Sequence, residues 1–310
     1  MRVLVTGGCG FIGTNLVIRC FNEGWKTDVV DNSYEHVQRA TECLPSVRIL
    51  NTDFASEEVL DAIHHEHYDV IFHQAAVPRV SYSVEEPAYT TDENLFKTVR
   101  LLEAAAGHCR RFVFASSSSV YGDTERLPIV EDDFIGSVTK SPYALQKKSS
   151  EEFIRLFCDL YEMDAVCLRY FNVFGPHQYG DSPYSTALSS WCHRIKEGTP
   201  LRKDGDGEQS RDLCYVDNVV EANILAAKAS RTFKGEGINI ACGDRTSNNE
   251  ILDAFAKKFK FEIDQQPFRV GDIMHTQADI SYAKEMLGYE PVVRFWDGFE
   301  KTLDWWGLND

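Results

Sequence analysis

The sequence predicts an α/β protein built on a doubly wound parallel sheet, and two observations carry that prediction. Short apolar, β-branched strands alternate with helical patterns through the first half of the chain, joined by short links. The first strand runs directly into glycines at positions 7, 10 and 13 and then into a helical pattern.

Strands are read at Val3–Thr6, Thr27–Val30, Val47–Leu50, Val70–His73, Phe112–Ser116 and Ala165–Tyr170. Helices are read at Gly13–Asn22, Glu57–His64, Glu93–Ala106 and Tyr143–Tyr161. Repeated strand–helix units require a parallel sheet covered on both faces, the Rossmann arrangement. After about Gly175 the rhythm breaks, and Gly, Pro, Asp and Ser cluster at Gly180–Pro183 and Lys203–Ser210. Helices follow near Ser185–Glu197, Val216–Ala229, Asn248–Lys258 and Phe295–Trp306, with a strand at Ile238–Ala241. The expected organisation is a sheet domain over 1–175 and a smaller α/β region over 176–310, with about 212–230 returning to the sheet. No long linker or internal repeat separates the two, so they are expected to interleave.

A chain of 310 residues, 43% apolar and 26% charged, is an ordinary soluble protein with room for a sizeable core. Its net charge of −16 argues against nucleic acid or an anionic membrane as the partner. The nine cysteines are odd in number, scattered and never spaced Cys-x-x-Cys. They read as reduced thiols, and the expected location is the cytoplasm. No run of about 18 apolar residues suggests a membrane span, and a first strand this early leaves no room for a leader.

The glycines have distinct physical tasks. Gly7 allows the tight turn out of the strand, Gly10 lets backbone approach a diphosphate, and Gly13 lets helix pack on strand. Asp31 ends the second strand, where a carboxylate holds the adenine ribose diol and repels a 2′-phosphate. NAD is therefore expected rather than NADP. The plain alternative for Asp31-Asn32-Ser33 is a turn after a strand. Asp53-Phe54 ends the third strand and is read as the adenine wall, against the alternative that Asp53 merely caps the strand.

Tyr143 and Lys147 stand one helical turn apart on one face. A free phenol titrates near ~10 and is a poor base at neutral pH. A neighbouring ammonium and a positive nicotinamide ring both lower that value. Ser116 to Ser119 form a hydroxyl-rich end to the fifth strand, on the edge of the sheet where ligands sit. A serine there can bridge a substrate hydroxyl and the phenol.

With these stretches in hand, the chain resembles an extended short-chain dehydrogenase/reductase of the NAD-dependent sugar-nucleotide epimerase/dehydratase family. The resemblance runs through Val5–Gly13, His73–Ala76, Ser116–Gly122, Ser141–Lys147, Leu168–Pro176, Gly205–Asp212, Tyr215–Asn218, Gly271-Asp272, Ala278–Ile280 and Leu287–Tyr289. Within the family it is nearest to UDP-hexose 4-epimerases, including those that act on N-acetylhexosamines. The resemblance implies Ser117, Tyr143 and Lys147 as the catalytic set. It implies cofactor contacts at Phe11, Ile12, Asp31, Asn32, Asp53, Phe54, Ala75, Asn94 and Phe171, besides the glycines and the Tyr143–Lys147 pair. It implies nucleotide-sugar contacts at Ser117, Ser118, Ser119, Asn172, Arg211, Arg269 and Asp272. The arginines suit a diphosphate, which a guanidinium fork can hold at two points. A homodimer through a helical face is also implied.

The chain departs from the family pattern at two places. Val270 replaces the proline common after Arg269. Ser118 and Ser119 stand where 4,6-dehydratases carry an acidic pair, which argues against dehydration and against decarboxylation that needs an acid in this loop. Thr276 is small where hexose-restricted epimerases carry an aromatic, so an open pocket and N-acetyl sugars are expected. The reaction expected is 4-epimerisation of a UDP-sugar, UDP-Glc/UDP-Gal or UDP-GlcNAc/UDP-GalNAc, through a 4-keto intermediate. The rivals are another epimerase, a 4-reductase or a dehydratase of the same family, or a non-catalytic dinucleotide sensor. No metal is expected: His64-His65-Glu66-His67 reads as a solvated loop, and Trp305-Trp306 as packing of the last helix.

Overall fold

The computed structural model describes residues 1–44, 46–66, 68–122, 124, 126–134, 138–180, 186–268 and 273–309. Thirteen strands are named in chain order among these residues. They are β1 (Arg2–Thr6), β2 (Lys26–Val30), β3 (Arg48–Leu50), β4 (Tyr68–His73), β5 (Cys109–Ser117), β6 (Ala165–Tyr170), β7 (Asn172–Phe174), β8 (Leu201–Asp204), β9 (Ser210–Arg211), β10 (Leu213–Tyr215), β11 (Lys234–Ile240), β12 (Thr246–Ser247) and β13 (Ile263–Gln266). The α-helices are α1 (Phe11–Asn22), α2 (Tyr34–Cys43), α3 (Glu57–Glu66), α4 (Val80–Glu85), α5 (Pro87–Thr91), α6 (Lys97–Ala105), α7 (Pro142–Tyr161), α8 (Ala187–Glu197), α9 (Val216–Lys228), α10 (Asn248–Lys258), α11 (Ser281–Leu287) and α12 (Phe295–Trp306).

Seven strands form one sheet in the order β11-β6-β5-β4-β1-β2-β3, and every neighbouring pair is parallel. The chain winds outward from β1 to β3, then returns to start again at β4 on the other side of β1. That reversal opens a crevice beyond the carboxyl ends of β1 and β4. Both faces of the sheet are covered, which is why its central strands are mostly apolar. Val3 and Val5 pack with Leu16, Val17 and Val219 on one face, while Leu4, Ile71 and Phe114 pack with Leu101, Leu102 and Ile154 on the other.

The helices begin where local chemistry tells them to. Ser141 caps α7 by accepting the Ala144 amide at 3.2 Å, and Pro142 occupies the first turn. Ser247 and Glu250 form a capping box at α10. The later chain returns to the sheet: α9 packs on α1, and Arg111 ties the end of α9 by donating to Ala226 O at 2.6 Å and Ala229 O at 2.8 Å.

The sequence reading does not include α2, α4, α5, α11 or the short strands β7–β10, β12 and β13, and two elements it does include differ in ways that bear on the sheet and the site. The strand expected at Ile238–Ala241 begins at Lys234 and is the edge strand of the main sheet, so the returning segment extends beyond 212–230. The helix expected at Glu93–Ala106 is two pieces, a π-helical turn at Asp92–Phe96 followed by α6. Hydrophobic spacing does not register one widened turn.

Candidate active site

The crevice is a cleft of about 870 Å³ whose walls are built by the β1–α1 turn, the ends of β2, β4 and β5, the start of α7 and the segment after β6. Its floor is pinned at the switch point. Thr6 Oγ1 lies 2.7 Å from His73 Nδ1 and accepts the Ala75 amide at 3.3 Å, while His73 Nε2 lies 2.9 Å from Thr98 Oγ1. Burial, with the charge of Lys147, holds the His73 pKa well below its usual value, so the ring is neutral.

The glycine turn separates structural from open positions. Gly7 has φ 64°, and a Cβ there would lie 2.7 Å from the backbone of Ala75. A Cβ on Gly13 would lie 2.1 Å from the Gly7 carbonyl oxygen. Gly10 is different: a Cβ there would meet only Gly7 O at 3.3 Å, and the residue faces the cleft. Helix α1 starts at this residue with no side-chain cap and no acid in its first turn. Its free amides and its dipole are left for an anion. Asp31 is buried at the end of β2, accepting the Cys9 amide at 3.1 Å and the Ser33 amide at 3.0 Å. Asp31, Asn32, Phe54, Ala75 and Phe171 line the same cleft, with Phe11 and Ile12.

Two expected cofactor residues stand one layer back. Asp53 is not on the cleft wall; its carboxylate accepts Lys97 Nζ at 2.6 Å and the Ala55 amide at 2.8 Å. Asn94 lies buried in the π-helical turn, where Oδ1 accepts the Val77 amide at 2.7 Å and Nδ2 donates to Gln146 Oε1 at 2.8 Å. Gln146 in turn donates to Thr90 and Thr91, each at 3.0 Å. This clamp joins the β4 loop to α7 beside Lys147. The sequence held no signal for Gln146, because its partners come from two other elements, α5 and the π-helical turn.

Ser116, Ser117, Ser118 and Tyr143 share the cleft wall. Tyr143 sits in the first turn of α7, and its amide donates to Ser83 Oγ at 3.1 Å. Burial pushes its phenol up to about 12, while the Ser117 side chain, in hydrogen-bonding range, pulls the other way. Lys147 lies buried behind it, with Nζ donating to Ala115 O at 2.8 Å and 4.6 Å from the centre of the Phe114 ring. Burial brings the lysine down to about 7.

On the sugar side the residues gather less fully. Asn172 lines the cleft. Ser119 is off the wall, its hydroxyl buried with no partner among the described residues. Arg211 is also off it, donating to Ser210 O at 3.1 Å and Met274 O at 3.0 Å. Thr276 is buried away from the cleft, its hydroxyl accepting the Asp212 amide at 3.3 Å, so its small size answers to an internal hydrogen bond. Arg269 and Asp272 lie outside the described residues.

A doubly wound sheet with a glycine cradle, a ribose-side acid and a Tyr–Lys pair at the strand ends is the build of a dinucleotide-dependent enzyme. The chain belongs to the NAD dependent epimerase/dehydratase family, which it matches over residues 3–241. It is 32% identical over 313 residues to a putative UDP-glucose 4-epimerase of Methanocaldococcus jannaschii, with 99% of each chain covered. Among solved structures it is similar to the UDP-glucose 4-epimerase of Thermotoga maritima with UDP-glucose, at TM-score 0.89, 31% identity and 99% of each chain. It is also similar to the UDP-glucuronic acid 4-epimerase of Bacillus cereus with UDP-glucuronic acid and NAD, at TM-score 0.90, 28% identity and 99% of each chain. The residues present fit NAD: the open space at Gly10, the uncapped α1 and the buried Asp31 match its diphosphate and ribose diol.

Proposed function

We propose that the protein interconverts UDP-glucose and UDP-galactose by epimerisation at C4. The observation that carries this reading is the meeting of Tyr143 and Ser117 on the cleft wall, with Lys147 buried behind them. NAD, when bound, supplies an acceptor for the hydride of C4 and a donor that returns it. The remaining work falls to the chain. Tyr143 takes the proton of the 4-hydroxyl, directly or through Ser117, and later returns it to the ketone oxygen. Burial leaves the phenol at about 12 in the ligand-free protein, and the positive nicotinamide ring of bound NAD, with Lys147 when protonated, would lower it. Lys147 would also hold the nicotinamide ribose when NAD is bound. Asn172 on the cleft wall would hold the nucleotide-sugar, with Arg211, Arg269 and Asp272 assigned to it by the resemblance alone, and its 4-keto form would turn about the diphosphate link to present the opposite face.

Dehydration is disfavoured by what the cleft lacks. Among the described residues the carboxylates on its wall are Asp31, Glu35 and Glu93, and none comes from the end of β5. Assaying UDP-galactose without added cofactor tests the reading. Catalytic conversion to UDP-glucose is expected, and Tyr143→Phe is expected to lower kcat by about 10²–10⁴-fold. No conversion here, with stoichiometric oxidation of added NADH by a 4-keto nucleotide-sugar, would indicate a reductase, and a Tyr143→Phe rate within a few-fold of the parent would overturn the assignment. N-acetyl sugars form a separate arm of the same assay, since Thr276 gives them no support.

The protein is further read as a cytoplasmic homodimer. All nine cysteines are free thiols, seven of them buried, and no helix among the described residues is long and apolar enough to cross a membrane. Leu145, Phe153, Leu156 and Leu160 form an exposed apolar stripe along α7, and Phe96 is exposed just before α6, which packs beside it. Light scattering should give twice the chain mass of 35.2 kDa; a monomer at micromolar concentration would contradict this.

A further inference from the structure

We infer that Arg39 and Tyr179 form a clasp across the ribose end of the cleft that retains the dinucleotide between turnovers. The inference rests on the reading of the cleft as the NAD site, and it goes beyond the contacts that reading assigns. Arg39 lies on α2 and lines the cleft together with Asp31 and Asn32. Tyr179 approaches from the segment after β7 and lines the cleft as well. The Arg39 guanidinium lies 4.2 Å from the centre of the Tyr179 ring, so the two sides of the cleft touch.

The tyrosine is not a loose tip. Asn15 of α1 donates to Pro176 O at 3.0 Å, and Gln178 donates to Val173 O at 3.1 Å. His177 is held at φ 68°, an uncommon conformation for a side chain of that size. That turn sets His177 and Tyr179 against Trp305 of α12, with ring centres 5.5 and 5.4 Å apart respectively. At the far end, a Cβ on Gly180 would lie 2.1 Å from Ser189 O of α8, so the strap is pressed onto α8. The strap is therefore braced by α12, α8 and Asn15 of α1, and its tyrosine meets Arg39 across the cleft. Release of a dinucleotide at this end requires that contact to open.

This suits an enzyme that regenerates its cofactor in each cycle, where release is wasted motion. The test is the rate at which bound NAD leaves, followed by loss of protein-bound dinucleotide on dilution into an NAD-scavenging mixture. Tyr179→Ala and Arg39→Ala are each expected to speed release about tenfold, the scale of one partly desolvated cation–π contact. The double variant should be no faster than either single one, because both remove the same contact. Tyr179→Phe keeps the ring face and should release at the parent rate. Parent-like release from Tyr179→Ala, additive single effects, or Tyr179→Phe releasing as fast as Tyr179→Ala would each overturn the clasp. If the parent protein itself cannot be loaded with NAD, the cofactor reading fails and the clasp falls with it.

Discussion

Two buried cations stand behind the end of β5, and the fold treats them in opposite ways. Arg169, on β6, is surrounded by partners: its Nη2 donates to Glu151 at 2.7 Å, its Nε to both oxygens of the same carboxylate, and its Nη1 to the Tyr121 hydroxyl at 2.8 Å. Burial alone would lower its pKa, but the Glu151 carboxylate outweighs burial and raises it. Gly237 leaves room for this guanidinium, since a Cβ there would lie 2.3 Å from its central carbon. Lys147 shares a face of α7 with Glu151, yet among the described residues it meets one carbonyl and one ring face. Its pKa falls to about 7. A buried charge that is fully paired is a fixture. A buried amine left without a carboxylate can gain or lose its proton near neutral pH, which is the property a site beside a phenol needs.

The difference can be broken from either side. The largest effect is expected from Glu151→Gln, which strands the Arg169 charge and puts an NH2 donor where one carboxylate oxygen accepted. Urea unfolding should show a loss of about 3–5 kcal/mol. Lys147→Met should act in the opposite direction in ligand-free protein. The folded pKa of about 7 lies below the ordinary value of 10.5, so the folded state releases this proton first. Holding the ammonium in the interior therefore costs stability below pH 7, and that cost fades as pH rises toward 10.5. The variant should gain roughly 2 kcal/mol at pH 6, after subtracting the lost hydrogen bond to Ala115, and nothing at pH 10. A pH-independent difference would show that the lysine is not buried as a tunable group.

This contrast also explains what could be read in the sequence. Ala165–Tyr170, Asn248–Lys258 and Phe295–Trp306 were readable to the residue, because each is a clean apolar pattern bounded by caps or turns. Gly7, Gly10, Gly13, Asp31 and Tyr143, singled out by short-range spacing, line one cleft, with Lys147 buried beside it. Arg169 and Glu151 were not singled out, since each alone looks like surface charge and only the packing of α7 on the sheet joins them. Asp53 and Asn94 fall at positions that suggest direct contact, but Lys97 and Gln146 claim their polar atoms. Placement of β11 at the sheet edge depends on its pairing with β6, which strand propensity in a glycine-containing segment does not reveal.

The account depends on Tyr143 moving a proton while the hydrogen on C4 travels as a hydride that never reaches water. UDP-galactose carrying deuterium at C4 tests this directly, with the product examined by mass spectrometry after equilibrium in ordinary water. Retention of the label at C4 of UDP-glucose is the predicted result. Washing out of the label into solvent would contradict the account.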